Sequence, residues 1–175
     1  MPPLTRLLIP GRYTDALKPG EEIVAATSDG ALTTDTVSLF STAKPGASAT
    51  FLNLTLAGGK ALVLTPGHHL PVGRTCCGAL QKAEDVAVGE TVWAVEGQSM
   101  AGARVLAVTK VDGANAGLHS PVLTGGSFPV VNGVVTSFDA IGHVTIARHG
   151  LGYLEAACKA TGTCGLLRRA FLESP

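Results

Sequence analysis

The stretch LTPGHHL, Leu64 to Leu70, follows the apolar run Ala61-Leu62-Val63-Leu64 and brings Thr65, His68 and His69 close together. An imidazole can relay a proton near neutrality, and a hydroxyl can hold a polarised carbonyl or amide. Pro66-Gly67 between them turns the chain, so that Thr65 at a strand end and His68 beyond the turn can face one pocket. Taken alone, the same residues read as a strand-end hydroxyl and a hydrogen-bonded turn histidine rather than a catalytic pair. A zinc site combining His68 or His69 with Cys76 or Cys77 has suitable donors but lacks a recurring zinc spacing.

The other reactive groups are less organised. The four cysteines are Cys76, Cys77, Cys158 and Cys164, with no C-x-x-C pair. Vicinal Cys76-Cys77 do not suit an ordinary disulfide framework and read as exposed or packing thiols. A Cys158–Cys164 bond requires the intervening Lys159 to Thr163 to bend. His119, His143 and His149 identify no constellation and are expected to be satisfied polar residues. The glycine-rich TGGSFPVVNGVV, Thr124 to Val135, lacks the lysine of a phosphate-binding loop and reads as turns between strands.

The elements that must carry these residues are short. Twenty-two glycines and ten prolines punctuate brief Val/Ile/Leu/Thr runs, which predicts an all-β fold with tight connections. Strands are expected at Glu22 to Ala26, Thr36 to Phe40, Thr50 to Leu56, Ala61 to Leu64, Glu90 to Val95, Arg104 to Lys110 and Phe128 to Phe138. Two of these regions echo each other. LKPGEEIVAATSDG from Leu17 and VAVGETVWAVEGQS from Val86 align Gly20 with Gly89, Glu21 with Glu90, Ile23 with Val92 and Ala25 with Ala94. The echo predicts two related β units about a pseudo-twofold axis, with glycine where each turn needs backbone angles that other residues resist.

At 175 residues the chain suits one domain, assigned to residues 1–150, with a tail at 151–175. In that tail GYLEAACKATG and CGLLRRAFLE read as short helices packed on the core. Thirteen basic and thirteen acidic residues cancel, so no broad field recruits nucleic acid or anionic lipid. MPPLTRLLIPG holds no apolar stretch long enough for a signal sequence or membrane span. No cofactor is expected, and the chain is read as a monomer.

Four segments in order, LKPGEEIVAATSDG, LVLTPGHHLPVG, VAVGETVWAV and GLHSPVLTGGSFPVVNGVVTSF, together resemble the Hedgehog autoprocessing domain of the Hint and intein superfamily. The resemblance covers roughly Asp15 to Asp139 and implies a pseudo-twofold, mostly β module. It implies self-cleavage: a cysteine attacks the preceding peptide carbonyl in an N-to-S acyl shift, and a second nucleophile resolves the thioester. A sterol, water or another small nucleophile would be the acceptor, and an N-terminal segment would be released in cis. The TPGH motif carries the implied processing roles to Thr65 and His68, while His69 stands where the family has an apolar residue.

Three departures bear on that activity. No cysteine precedes Cys76, and ungapped alignment at Leu17 places the family's nucleophile just ahead of Met1. A longer precursor carrying it, entering the secretory pathway, and a degenerate scaffold kept for protein interaction are the two expectations. This 175-residue chain itself is expected not to self-cleave. Thr5 is a poor substitute, because an unactivated hydroxyl is a weak nucleophile. The carboxylate that assists the incoming nucleophile is replaced by Ser41 or Thr42, and Asp35 lies before that strand. Phe138 replaces the thiol of the late family motif.

Overall fold

The computed structural model describes residues 17–44, 46–113, 117–137 and 151–164. The chain opens with β1 (Glu22–Ala26), β2 (Leu32–Lys44), β3 (Ala49–Leu56), β4 (Ala61–Leu64) and β5 (His69–Pro71). It continues through β6 (Leu80–Lys82), a 3₁₀ turn at Ala83–Asp85, β7 (Thr91–Glu96), β8 (Ser99–Gly113), β9 (Leu118–Leu123), β10 (Phe128–Val131) and β11 (Val134–Val135). A helix, α1 (Leu151–Thr161), follows. Nine strands form one curved ladder in the order β4-β3-β8-β7-β11-β10-β1-β2-β9, while β5 and β6 pair separately.

The sequence echo is a structural repeat. Gly20 and Gly89 adopt φ of +93° and +95°, angles that carry little penalty only in glycine. Each donates its N–H at 2.8 Å to the long strand opposite, Gly20 to the Val37 carbonyl and Gly89 to that of Val105. Val37 and Val105 return N–H bonds at 2.8 Å to the carbonyls of Glu21 and Glu90. The carboxylates repeat as well: Glu21 accepts from the Lys18 amide and Glu90 from the Ala87 amide, both at 2.9 Å. Glu21 and Glu90 therefore tie down their own turns.

Beyond each turn the long strand changes partner. β2 pairs with β1 from Leu32 to Thr36 and then with β9 from Val37 to Lys44. β8 pairs with β7 from Ser99 to Arg104 and then with β3 from Val105 to Gly113. Thus β3, which follows the first hairpin in sequence, lies on the second, and β9, which follows the second, lies on the first. Register shifts accompany the crossover in both ladders, between Val37 and Leu39 and between Thr55 and Leu56.

Alternation along β3 and β4 turns Leu52, Leu54, Leu56, Leu62 and Leu64 inward against Val92, Ala94, Val105 and Val134 of the second unit. Burial of each such leucine or valine stabilises the fold by about 1.5–3 kcal/mol. The loop after β9 is held differently. The Asp35 carboxylate accepts amide N–H bonds from Gly125 at 3.0 Å and Ser127 at 3.3 Å. A Cβ on Gly125 would sit 2.8 Å from the Asp35 carboxylate, so glycine is what permits the close approach.

The strands at Glu22–Ala26 and Ala61–Leu64 lie where the sequence places them. β2 and β8 are longer than expected, and β5, β6 and β9 had no counterpart in the sequence reading. The single strand expected over Phe128 to Phe138 is instead two, broken at Asn132-Gly133, where both residues take positive φ; Phe138 falls outside the described residues. The helix expected at GYLEAACKATG is α1; most of CGLLRRAFLE falls outside the described residues. Gly162 at φ +69° ends α1 and lets Cys164 return to form a disulfide with Cys158, Cα atoms 4.7 Å apart. Cys76 and Cys77 are bonded to each other rather than present as thiols, and Cys77 packs with Ala26, Phe128 and Val135.

Asp35→Ala should lower the unfolding free energy by about 1–3 kcal/mol, because it strands amides that the carboxylate satisfies. Urea unfolding checks this; an unchanged midpoint would show that the Gly125 to Ser127 loop holds itself.

Candidate active site

β4 delivers Leu64 into the core, and the chain then leaves the ladder at Thr65. A turn closes at once, with the His68 amide donating to the Thr65 carbonyl at 3.1 Å. Two contacts with the 3₁₀ region hold the turn in place: the Glu84 amide donates to the Pro66 carbonyl at 3.0 Å and the Ala83 amide to the His68 carbonyl at 2.7 Å. Thr65 and His68 are thereby presented on the same side, half-buried, in a cleft of about 610 Å³.

The opposite wall comes from the end of β11. Thr136 is fixed to β10, its amide and hydroxyl both donating to the Pro129 carbonyl at 2.9 and 3.1 Å. Ser137 then meets the turn through two bonds: its amide donates to the His69 carbonyl at 2.9 Å, and its carbonyl lies 2.8 Å from His68 Nε2. A carbonyl can only accept, so Nε2 carries the hydrogen, and in the neutral ring the basic lone pair is on Nδ1. The Ser137 carbonyl thus sets both the orientation and the tautomer of His68.

Two further hydroxyls belong to the same cleft. Ser120 on β9 and Ser137 are 3% and 1% exposed, and neither Oγ has a hydrogen-bond partner among the described residues. Buried hydroxyls are rarely left without a partner, and both residues belong to the wall of a space large enough for a peptide segment or a small molecule. Lys44 and His119 complete the lining from the β2–β9 end.

The structure therefore brings Thr65 and His68 together and separates His69 from them. His69 is 4% exposed, lies on β5 opposite Lys82, and does not line the cleft. Among the described residues no group of three His, Cys, Asp or Glu side chains could hold a metal. His119, expected to be a satisfied polar residue, is among the residues that line the cleft. It lies in GLHSPVL, two residues before Pro121, in a run that did not read as a strand. His143 and His149 lie outside the described residues.

A family model described as the Hint module matches residues 11–163. Among solved structures, the chain is similar to a DnaB intein from Synechocystis sp. PCC 6803, with 12% identity, a TM-score of 0.57 and coverage of 77% of this chain and 84% of that one. The PabCDC21-1 intein gives 20% identity and a TM-score of 0.55 over 69% of this chain and 71% of that one. The gp41-1 intein gives 14% identity and a TM-score of 0.55 over 72% and 86%. At these identities the likeness is one of fold. None of the curated proteins matches the chain by sequence.

Nitrogen NMR of the imidazoles should find neutral His68 as the Nε2–H tautomer; a dominant Nδ1–H form would show that the bond to Ser137 does not hold in solution.

Proposed function

We propose, on the premise that the chain belongs to the Hint module family, that it is the processing unit of a self-cleaving protein in which Thr65 and His68 serve the acyl shift. The observation that carries this reading is the convergence of the Thr65 to His68 turn and the Ser137 segment on one cleft. In the proposed step a cysteine thiol attacks the carbonyl of the residue before it. Nδ1 of His68 takes the thiol proton as the C–S bond forms and returns it to the departing amide nitrogen as the C–N bond breaks. The Thr65 hydroxyl holds the peptide group in the attacked geometry by hydrogen bonding. A thioester results, which water, an alcohol such as a sterol, or another nucleophile resolves. The N-terminal segment released in cis is the partner this reading requires.

A second reading, a scaffold retained for protein interaction, is favoured by one observation: Ser41 and Thr42 stand where the resemblance places the carboxylate that assists the second nucleophile. Cys76 and Cys77 do not serve as the attacking thiol, since they are bonded to each other and absent from the cleft lining. Full-length transcript sequencing with intact mass of the natural product separates the two readings. A precursor with a cysteine just ahead of Met1, and a mature fragment starting there, supports processing; Met1 as the mature start supports the scaffold.

In a fusion that places a reporter protein ending in cysteine before Met1, dithiothreitol should release the reporter, and the unextended chain should stay intact. His68→Ala should slow release about 100- to 10,000-fold, the usual worth of general acid–base assistance, and Thr65→Ala about 100-fold or more. Release at the parent rate in both variants would remove them from the reaction.

A further inference from the structure

The cleft contains two imidazoles, and only one is accounted for by the acyl shift. His68 is held by the Ser137 carbonyl at 2.8 Å. His119 reaches the same space from β9 and is half-buried. Its ring packs edge-on against Phe40, centroids 6.3 Å apart and planes at 84°, which fixes the ring through carbon rather than through nitrogen. Among the described residues neither ring nitrogen of His119 makes a hydrogen bond. Room for the ring comes from Gly117, at φ +76°, where a Cβ would lie 2.9 Å from His119 Nε2.

The register adds a second point. His119 stands opposite Ala43 and Ser120 opposite Thr42, so His119 lies one ladder position from Thr42 and two from Ser41. Those hydroxyls have no basicity at neutral pH, whereas an imidazole does. The remaining charged group at this end, Lys44, is a donor without a lone pair when protonated.

We infer that His119 is the general base for the second half of the reaction, deprotonating the water or alcohol that resolves the thioester. The inference rests on the acyl-shift reading. As the nucleophile's oxygen bonds to the thioester carbon, a ring nitrogen of His119 takes the O–H proton. The C–S bond then breaks, and the proton passes from the imidazolium to the departing thiolate, so that neutral imidazole and free thiol are restored.

The test uses the reporter–cysteine fusion of the full chain and reads two cleavages. Dithiothreitol, itself acidic enough to attack as thiolate, reports thioester formation; cleavage without added thiol reports resolution by water. His119→Phe, which keeps an aromatic ring on Phe40, should leave thiol-driven release within about twofold of the parent and slow water-driven release about 100-fold. His119→Ala should show the same split, with water-driven release restored by added imidazole, a recovery that a purely structural role would not give. Water-driven release at the parent rate in both variants overturns the assignment, as does equal loss of both cleavages without rescue. Absence of thiol-driven release in the parent fusion overturns the acyl-shift reading itself, and the role of His119 with it.

Discussion

The reciprocal exchange of strands is the constraint on which the rest of the molecule depends. β3 adds to β8 and β9 adds to β2, so each unit completes its ladder with a strand that the other contributes. Neither hairpin alone would bury its apolar face, because Leu52, Leu54 and Leu56 find their cover in Val92, Val105 and Val134 of the other unit. A two-stranded hairpin is marginal in water, and pairing across the units is what makes the core cooperative. The cost is a break in register on each long strand, where the partner changes.

That exchange also explains where the cleft lies. β4 and β9 end the nine-stranded ladder on opposite sides, yet residues from both line one space because the sheet curves back on itself. The chain leaving β4 supplies Thr65 and His68, and the chain leaving β11 supplies Ser137. The two bonds from Ser137 to the His68-His69 pair then tie segments that are remote in sequence. An imidazole held in this way needs no reorganisation before it handles a proton, which is how a fixed scaffold contributes to rate.

Much of this was legible because local and global signals agree. Gly20 and Gly89 recur with the glutamates that bond back across their turns, and the echo survives as matching 2.8 Å bonds at corresponding positions. Thr65 and His68 were legible because strand end, Pro-Gly turn and imidazole follow one another in seven residues, Leu64 to Leu70. The partner change was not. A run of alternating residues does not record that its second half pairs with a strand from the other unit, so β2 and β8 read as shorter than they are. β9 escaped notice because Pro121 argues against a strand; as the last strand of the ladder it tolerates a residue that donates no N–H. With β9 unseen, His119 had no place to stand.

The division of labour proposed for the two histidines draws on the same topology. His68 sits where the first unit meets the Ser137 segment, its Nε2 bonded to the Ser137 carbonyl, and in the proposed acyl shift Nδ1 moves the proton. His119 sits at the β2–β9 end, held by Phe40 and accommodated by Gly117. An acyl transfer in two steps needs protons moved at two places, first between a thiol and an amide nitrogen, then between an incoming hydroxyl and a departing thiolate. One imidazole bonded to a carbonyl cannot easily serve both, because reorienting it would break the contact that sets its tautomer. Strand exchange supplies a second imidazole from the other unit without altering the first.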